Sequence, residues 1–164
     1  NSYCNDYDKA VSLCTNLLTQ YDELIVEEYI SGYEVTNLVI KKKNGKILLN
    51  EPMVISLNNQ FYLNNEIFGI NEKYNGLRKY WLASQILPKD TVDSIKQISE
   101  KIANIFNLSA FFRFDYRISK NDIYFIEVNT NPAFGTSSDV GKLCELKNIS
   151  FSDFVSIYMN SMTD

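Results

Sequence analysis

The sequence predicts an α+β fold: a mainly antiparallel sheet with helices packed on it. Three observations carry this prediction. The hydrophobic spacing alternates between helical and strand periods, in the order helix, strands, helix, strands, helices. Asn44-Gly45 stands between two β-rich runs, which is a strong hairpin signal. A second hairpin pattern, "FFRFDYRISKNDIYFIEVNTNP", runs from Phe111 to Pro132.

The elements follow in chain order. Residues 6–20 place Ala10, Val11, Cys14, Leu17 and Leu18 at helical spacing, with Asn5 or Asp6 as the cap. "LIVEEYI" (24–30) reads as a strand that Ser31-Gly32 interrupts. "EVTNLVIKKK" (34–43) resumes it and turns at Asn44-Gly45 into "KILLN", with "MVISL" (53–57) as a further short strand. Residues 58–80 are polar, Asn-rich and without periodicity, the pattern of a functional loop. Pro88 suits the first turn of a helix, and Val92, Ile95, Ile98, Ile102 and Ile105 stripe that helix to about residue 107. After the second hairpin and the loop "NTNPAFGTSSD" come two short helices, the last capped by Ser150 with Asp153 as an imperfect capping-box partner.

The 164 residues suit one domain, and 45% apolar residues are enough for a real core. A formal charge of -4 argues against nucleic-acid binding, which needs a dense basic surface. The absence of histidine removes Ser-His-Asp and Cys-His catalysis and every His-ligated metal site. Any metal must therefore sit on carboxylate and amide oxygens, which favours a hard cation. Cys4, Cys14 and Cys144 are few and widely spaced, so reduced thiols and a cytoplasmic location are expected. No apolar run reaches membrane-spanning length. The chain begins with Asn, not Met, so a piece of a longer protein is expected.

The chemistry concentrates in the Phe111–Pro132 hairpin. Alternation puts Phe112, Phe114, Tyr116 and Ile118 on one face of the first strand and Arg113, Asp115 and Arg117 on the other. In the second strand Tyr124, Ile126 and Val128 form the apolar set, and Phe125, Glu127 and Asn129 the opposite one. A three- or five-residue turn around Asn121 pairs Tyr116 with Ile126, Asp115 with Glu127, and Arg113 with Asn129. Two facing carboxylates repel. A hard cation between them removes that cost, and Asn129 adds a neutral oxygen. The alternative is a solvated sheet face with Arg113 and Arg117 neutralising the acids. The small-residue loop that follows is rich in backbone donors and able to wrap an anion.

At "RFDYRISKNDIYFIEVNTNP" the sequence resembles the ATP-grasp superfamily, and within it the C-terminal part of the D-alanine–D-alanine ligases. That family has Arg-x-Asp in one strand and Glu-x-Asn-x-x-Pro at the end of the next; this chain has Arg113-Phe114-Asp115 and Glu127 to Pro132. The resemblance implies one ATP-grasp domain over residues 1–164 and an ATP-dependent carboxylate–amine ligase acting in cell-wall (peptidoglycan) precursor synthesis. Asp115, Glu127 and Asn129 would hold Mg2+, with Mn2+ as an alternative, and Arg113 would stabilise the phosphorylated intermediate. "VEEYISGYEVT" looks like the adenine-side hinge, with Glu27, Glu28, Tyr29 and Ile30 along adenine, Glu34 on the ribose, and Ile126 also on the nucleotide. "NEKY" (71–74) resembles the family's flexible loop, with Lys73 reaching the phosphates and Tyr74 closing the site. Ser138, and more weakly Ser137, would hold the carboxylate of the second amino acid, and the amide of Ala133 would help form an oxyanion hole.

The resemblance covers nearly the whole chain but only the C-terminal half to two-thirds of such an enzyme. The family's N-terminal domain has no counterpart in the 164 residues. The piece alone is therefore expected to bind ATP weakly and not to turn over. Small amino acids are the implied partners, and a homodimer of the longer protein is compatible. Ala133 replaces the usual Gly, Phe134 the usual Met, and Ser138-Asp139-Val140-Gly141 the usual Ser-Leu-Val-Pro. Those changes leave two alternatives open: a ligase for a different amino-acid pair, and a nucleotide-binding module without ligase activity.

Overall fold

The computed structural model describes residues 3–64 and 77–162. The strands are β1 (Gly32–Lys41), β2 (Ile47–Leu57), β3 (Tyr62–Leu63), β4 (Arg78–Leu82), β5 (Ala110–Ser119) and β6 (Asp122–Asn129). The helices are α1 (Tyr7–Leu17), α2 (Ala83–Ile86), α3 (Lys89–Ile105), α4 (Asp139–Lys147) and α5 (Phe151–Ser161). One antiparallel sheet runs β4-β2-β1-β5-β6, and β3 pairs with the start of β1. The α+β expectation holds.

The β1–β2 hairpin forms where Asn44-Gly45 predicts it. Gly45 takes φ 91°, a conformation L side chains resist, and the Asn44 side chain accepts from the Lys46 amide at 3.1 Å. "KILLN" and "MVISL" are not separate strands but one, running through Pro52. Pro52 is tolerated because β4 pairs only from Met53 onward, so β2 is an edge on that side at Pro52. Among the described residues of the stretch 58–80, expected to be loop, Tyr62–Leu63 and 78–80 are strand, as β3 and the start of β4. Residues 24–30 form no strand. Their β propensity finds no neighbouring strand among the described residues, and Ile25 and Val26 lie 88% and 76% exposed. Pro88 is the N-cap of α3 rather than part of its first turn.

The sheet's two faces are covered unequally. On one face Val35, Val39, Phe112, Phe114 and Ile118 pack under α2 and α3 through Ala83, Val92, Ile95 and Ala103. The 3-4 stripe of α3 makes this contact through Val92, Ile95, Ile98 and Ile102, whereas Ile105, expected to continue it, is 68% exposed. On the other face Leu38, Ile40, Met53 and Phe111 pack under α4 and α5 through Val140, Leu143 and Phe154. Ser150 caps α5, with Asp153 closing a capping box. That second cluster covers only the part of its face nearest α4 and α5. The remainder carries the polar side chains of β1, β4, β5 and β6. No helix among the described residues is long and apolar enough to cross a membrane.

Candidate functional site

The β5–β6 hairpin closes through two residues, Lys120 and Asn121, with Ser119 opposite Asp122 and Lys120 at φ 55°. The expected longer turn is therefore corrected, and so is the pairing of Tyr116 with Ile126: Tyr116 faces Phe125. A bulge between Asp115 and Tyr116 then restores the phase, so Asp115 does face Glu127 and Arg113 does face Asn129. Ile126 is the extra residue. Before it, the expected faces invert. Phe125 lies on the core side, its ring 5.8 Å from Tyr116 and 6.4 Å from Phe114. Ile123 joins the same core, and Ile126 turns to the charged face.

On that face Arg113 sits among three carboxylates. Its Nε donates to both Asp115 oxygens at 3.0 Å and its Nη2 to Oδ2 at 2.7 Å. Nη2 lies 3.5 Å from Glu127, and Nη1 lies 3.2 Å from Asp139. Burial works against the guanidinium charge, but Asp115, Asp139 and Glu127 outweigh it and hold the group protonated more firmly than in water. Asp115 goes the other way. Burial raises its carboxyl above the usual range, Glu127 adds to this, and Arg113 only partly offsets it. Burial likewise raises Glu34, against the opposing pull of Arg117, whose Nη2 is 3.1 Å away.

A cleft of 340 Å³ opens beside the acids. It brings together Glu27, Glu28, Tyr29, Ile30, Glu34 and Ile126 with Asp115 and Glu127. Arg117 ties its floor: it pairs with Glu34, donates to the Gly32 carbonyl at 3.3 Å, and lies over the Tyr29 ring at 5.5 Å. Gly32 is required there, because a Cβ would overlap the Ile118 carbonyl. Lys73 and Tyr74 lie outside the described residues. Ala133 and Ser137 are exposed in the loop after β6. Ser138 is the N-cap of α4; its hydroxyl donates to the Gly135 carbonyl at 2.7 Å and accepts from Val140 at 3.2 Å.

Sequence reasoning missed two contributors. Asp139 enters the sequence reading only as the residue that replaces the family's usual Leu after Ser138, and Tyr80 lies at the end of a stretch read as loop. The Tyr80 hydroxyl donates to Asp139 Oδ1 at 2.8 Å. Burial, then Asp139, raises its pKa well above the ordinary phenol. Nothing in local spacing links residues on β4 and α4, although an acid beside the serine expected to hold a carboxylate is a signal.

The arrangement fits a hard cation by donor chemistry. Asp115, Glu127 and Asn129 offer oxygens from one sheet face, and Arg113 already lies between the two acids as a monovalent cation would. Thr36, opposite Asp115, adds a buried hydroxyl on the same face, and its hydrogen bond also helps to offset the rise in the Asp115 carboxyl. Among the described residues no three His, Cys, Asp or Glu side chains gather as a metal cage, so the amide of Asn129 is needed to complete a set of three.

A family model described as the D-ala D-ala ligase C-terminus matches residues 4–160. The D-alanine--D-alanine ligase of Fusobacterium nucleatum subsp. nucleatum is 28% identical over 162 residues, covering 98% of this chain and 51% of that protein. That of Petrotoga mobilis is 27% identical over 146 residues, covering 88% and 46%. Among solved structures, D-alanine--D-alanine ligase from Bacillus anthracis complexed with ATP superposes with a TM-score of 0.68 at 22% identity, covering 95% of this chain and 48% of that one. VanG D-Ala:D-Ser ligase from Enterococcus faecalis gives 0.63 at 23% identity, covering 93% and 42%. The chain thus spans about half the length of the relatives it matches.

Proposed function

Because the chain belongs to the D-ala D-ala ligase C-terminus family, we propose that it supplies the nucleotide- and metal-binding part of an ATP-dependent carboxylate–amine ligase. The observation that carries this is the Asp115–Glu127 cross-strand pair at the edge of a 340 Å³ cleft that also holds Glu34 and Ile126. The cleft suits ATP as substrate: adenine along Glu27–Ile30 and Ile126, ribose hydroxyls on Glu34, phosphates toward the acids. Arg117 fixes Glu34 for this task. Asp115, Glu127 and Asn129 would hold magnesium, with manganese as an alternative, and the ion would neutralise phosphate charge.

A substrate carboxylate oxygen attacks the γ-phosphorus and ADP leaves. The resulting acyl phosphate is then attacked at its carbonyl carbon by an amine, which loses a proton as inorganic phosphate departs. The chain's own residues act by position and charge. Arg113 stabilises negative charge at the transferred group, with Lys73 and Tyr74 assigned to the phosphates and to closure. Ala133, Ser137 and Ser138 are assigned to the second amino acid, where the Ser138 hydroxyl must turn from Gly135 to donate. A D-alanine pair is the first reading. The carboxylate of Asp139 beside Ser138 favours a second, with another amine in the same chemistry.

The test is magnesium-dependent nucleotide binding, read by calorimetry and thermal shift. Wild type is expected to bind ATP only with the cation, and the Asp115→Ala, Glu127→Ala double variant to lose that binding. Equal binding by the variant overturns the assignment. Phosphate release from the longer protein, measured across a panel of amino acids, separates the two amine readings.

A further inference from the structure

Asp139 enters the reading above only as a neighbour of Ser138, and Tyr80 not at all, yet both complete the surroundings of Arg113. Three carboxylates, Asp115, Glu127 and Asp139, meet one guanidinium. With all four ionised the group sums to two negative charges, the amount that one divalent cation between Asp115 and Glu127 would cancel. Such a cation and the guanidinium would then share Asp115 within a few ångströms, and like charges at that separation repel strongly in a half-buried site. Arg113 has somewhere to go. Its Nη1 is already 3.2 Å from Asp139 Oδ2. The other Asp139 oxygen is held by the Tyr80 hydroxyl at 2.8 Å. Asp139 is also set in the first turn of α4, where a negative charge is favoured by the helix N-terminus. Gly141 locks that turn down, because a Cβ there would overlap the Thr136 carbonyl.

We propose that Asp139, braced by Tyr80, is a positioning residue that takes Arg113 over from Asp115 when a divalent cation binds the Asp115–Glu127 pair. Without the cation, Arg113 neutralises the two acids. With it, the guanidinium retires to Asp139 and the carboxylate oxygens of Asp115 are released. The proposal rests on the ligase reading only for the place of the cation, so it is tested without nucleotide.

The experiment titrates the 164-residue chain with Mn2+ alone, counting free ion by its paramagnetic signal. A parallel Mg2+ titration follows the Arg113 Nε–H resonance, assigned through Arg113→Lys. Wild type is expected to bind the ion and shift that resonance. Asp139→Asn should weaken Mn2+ binding about tenfold and abolish the shift. Tyr80→Phe changes no charge, so a loss of about threefold reports bracing rather than the general field. A merely structural Tyr80 would lower the melting temperature and leave Mn2+ affinity alone. If Asp139→Asn does not fold, Tyr80→Phe decides the same question. Unchanged affinity in the folded variants, an Arg113 resonance that ignores Mg2+, or no cation binding by wild type each overturns the proposal. A wild type that binds the cation but no nucleotide overturns the ligase reading and leaves this one standing.

Discussion

Asn37 is fully buried, and it lies on the core side of the sheet, opposite the face of the carboxylates. Its Nδ2 donates to Asn50 Oδ1 at 2.8 Å and to Ser99 Oγ at 2.7 Å. Ser99 in turn donates to the Ile95 carbonyl at 2.9 Å and lies 2.6 Å from the Tyr116 hydroxyl. Burial pushes that hydroxyl up to about 12, so it stays protonated and available as a donor. The network joins β1, β2 and β5 to α3 directly behind Asp115. Ser99→Ala would strip a partner from both Asn37 and Tyr116 in a dry site. Unsatisfied groups of this kind cost about 1–3 kcal/mol. The expected result is a lower urea midpoint with an unchanged m-value; an unaltered midpoint would show that the network relaxes freely. At this scale the sequence was informative where the period of two applies. Alternation alone placed Arg113, Asp115, Glu127 and Asn129 on one face. It had no access to Asp139, 26 residues from Arg113, nor to the Asn37–Ser99 bond, 62 residues apart. Both depend on how helices land on the sheet.

Among the elements, the β5–β6 hairpin shows how a correct pair emerged from an incorrect turn. A longer turn and a regular strand would align Asp115 with Glu127; so does the observed two-residue turn with one bulge. Alternation reads phase, not the path by which phase is kept, so Tyr124, Phe125 and Ile126 were assigned to the wrong faces. Residues 24–30 failed for another reason: strand propensity requires a partner edge, and none stands beside them among the described residues. The bulge makes a specific prediction. Deleting Ile126 leaves Phe125 adjoining Glu127, which is regular alternation opposite Tyr116 and Asp115. Core packing and the acid pair would both survive, so the melting temperature should stay within about 5 °C. The cleft would lose its Ile126 wall, and nucleotide affinity should fall severalfold in the same preparation. A collapse of thermal stability would mean that the bulge is structural, and unchanged affinity would remove Ile126 from the site.

Across the whole molecule, order is graded from the sheet outward. β1 and β5 lie inside the sheet with both faces engaged, whereas α1 has no buried residue and residues 22–31 lie outside any strand. Tyr29 stacks edge-on with Tyr3 at 4.9 Å and lies under Arg117 at 5.5 Å. Yet Glu27, Glu28, Tyr29 and Ile30 form one wall of the 340 Å³ cleft. A wall drawn from exposed or half-buried chain outside any strand has low local stability, so a ligand that bridges it to β5 and β6 must order it on binding. Hydrogen exchange tests this directly. In the free protein, amides of α1 and residues 24–31 should exchange orders of magnitude faster than those of β1 and β5. Saturating Mg2+ and nucleotide should slow residues 26–31 selectively. They should leave α5 unchanged, since it packs under the apolar part of its sheet face, away from the cleft. The slowing should disappear in the Asp115→Ala, Glu127→Ala variant. Protection that rises equally everywhere would signify global stabilisation by mass action, and the cleft wall would then be preformed. Bound nucleotide with no change at 26–31 would place the adenine elsewhere and remove Glu27 to Ile30 from the assignment.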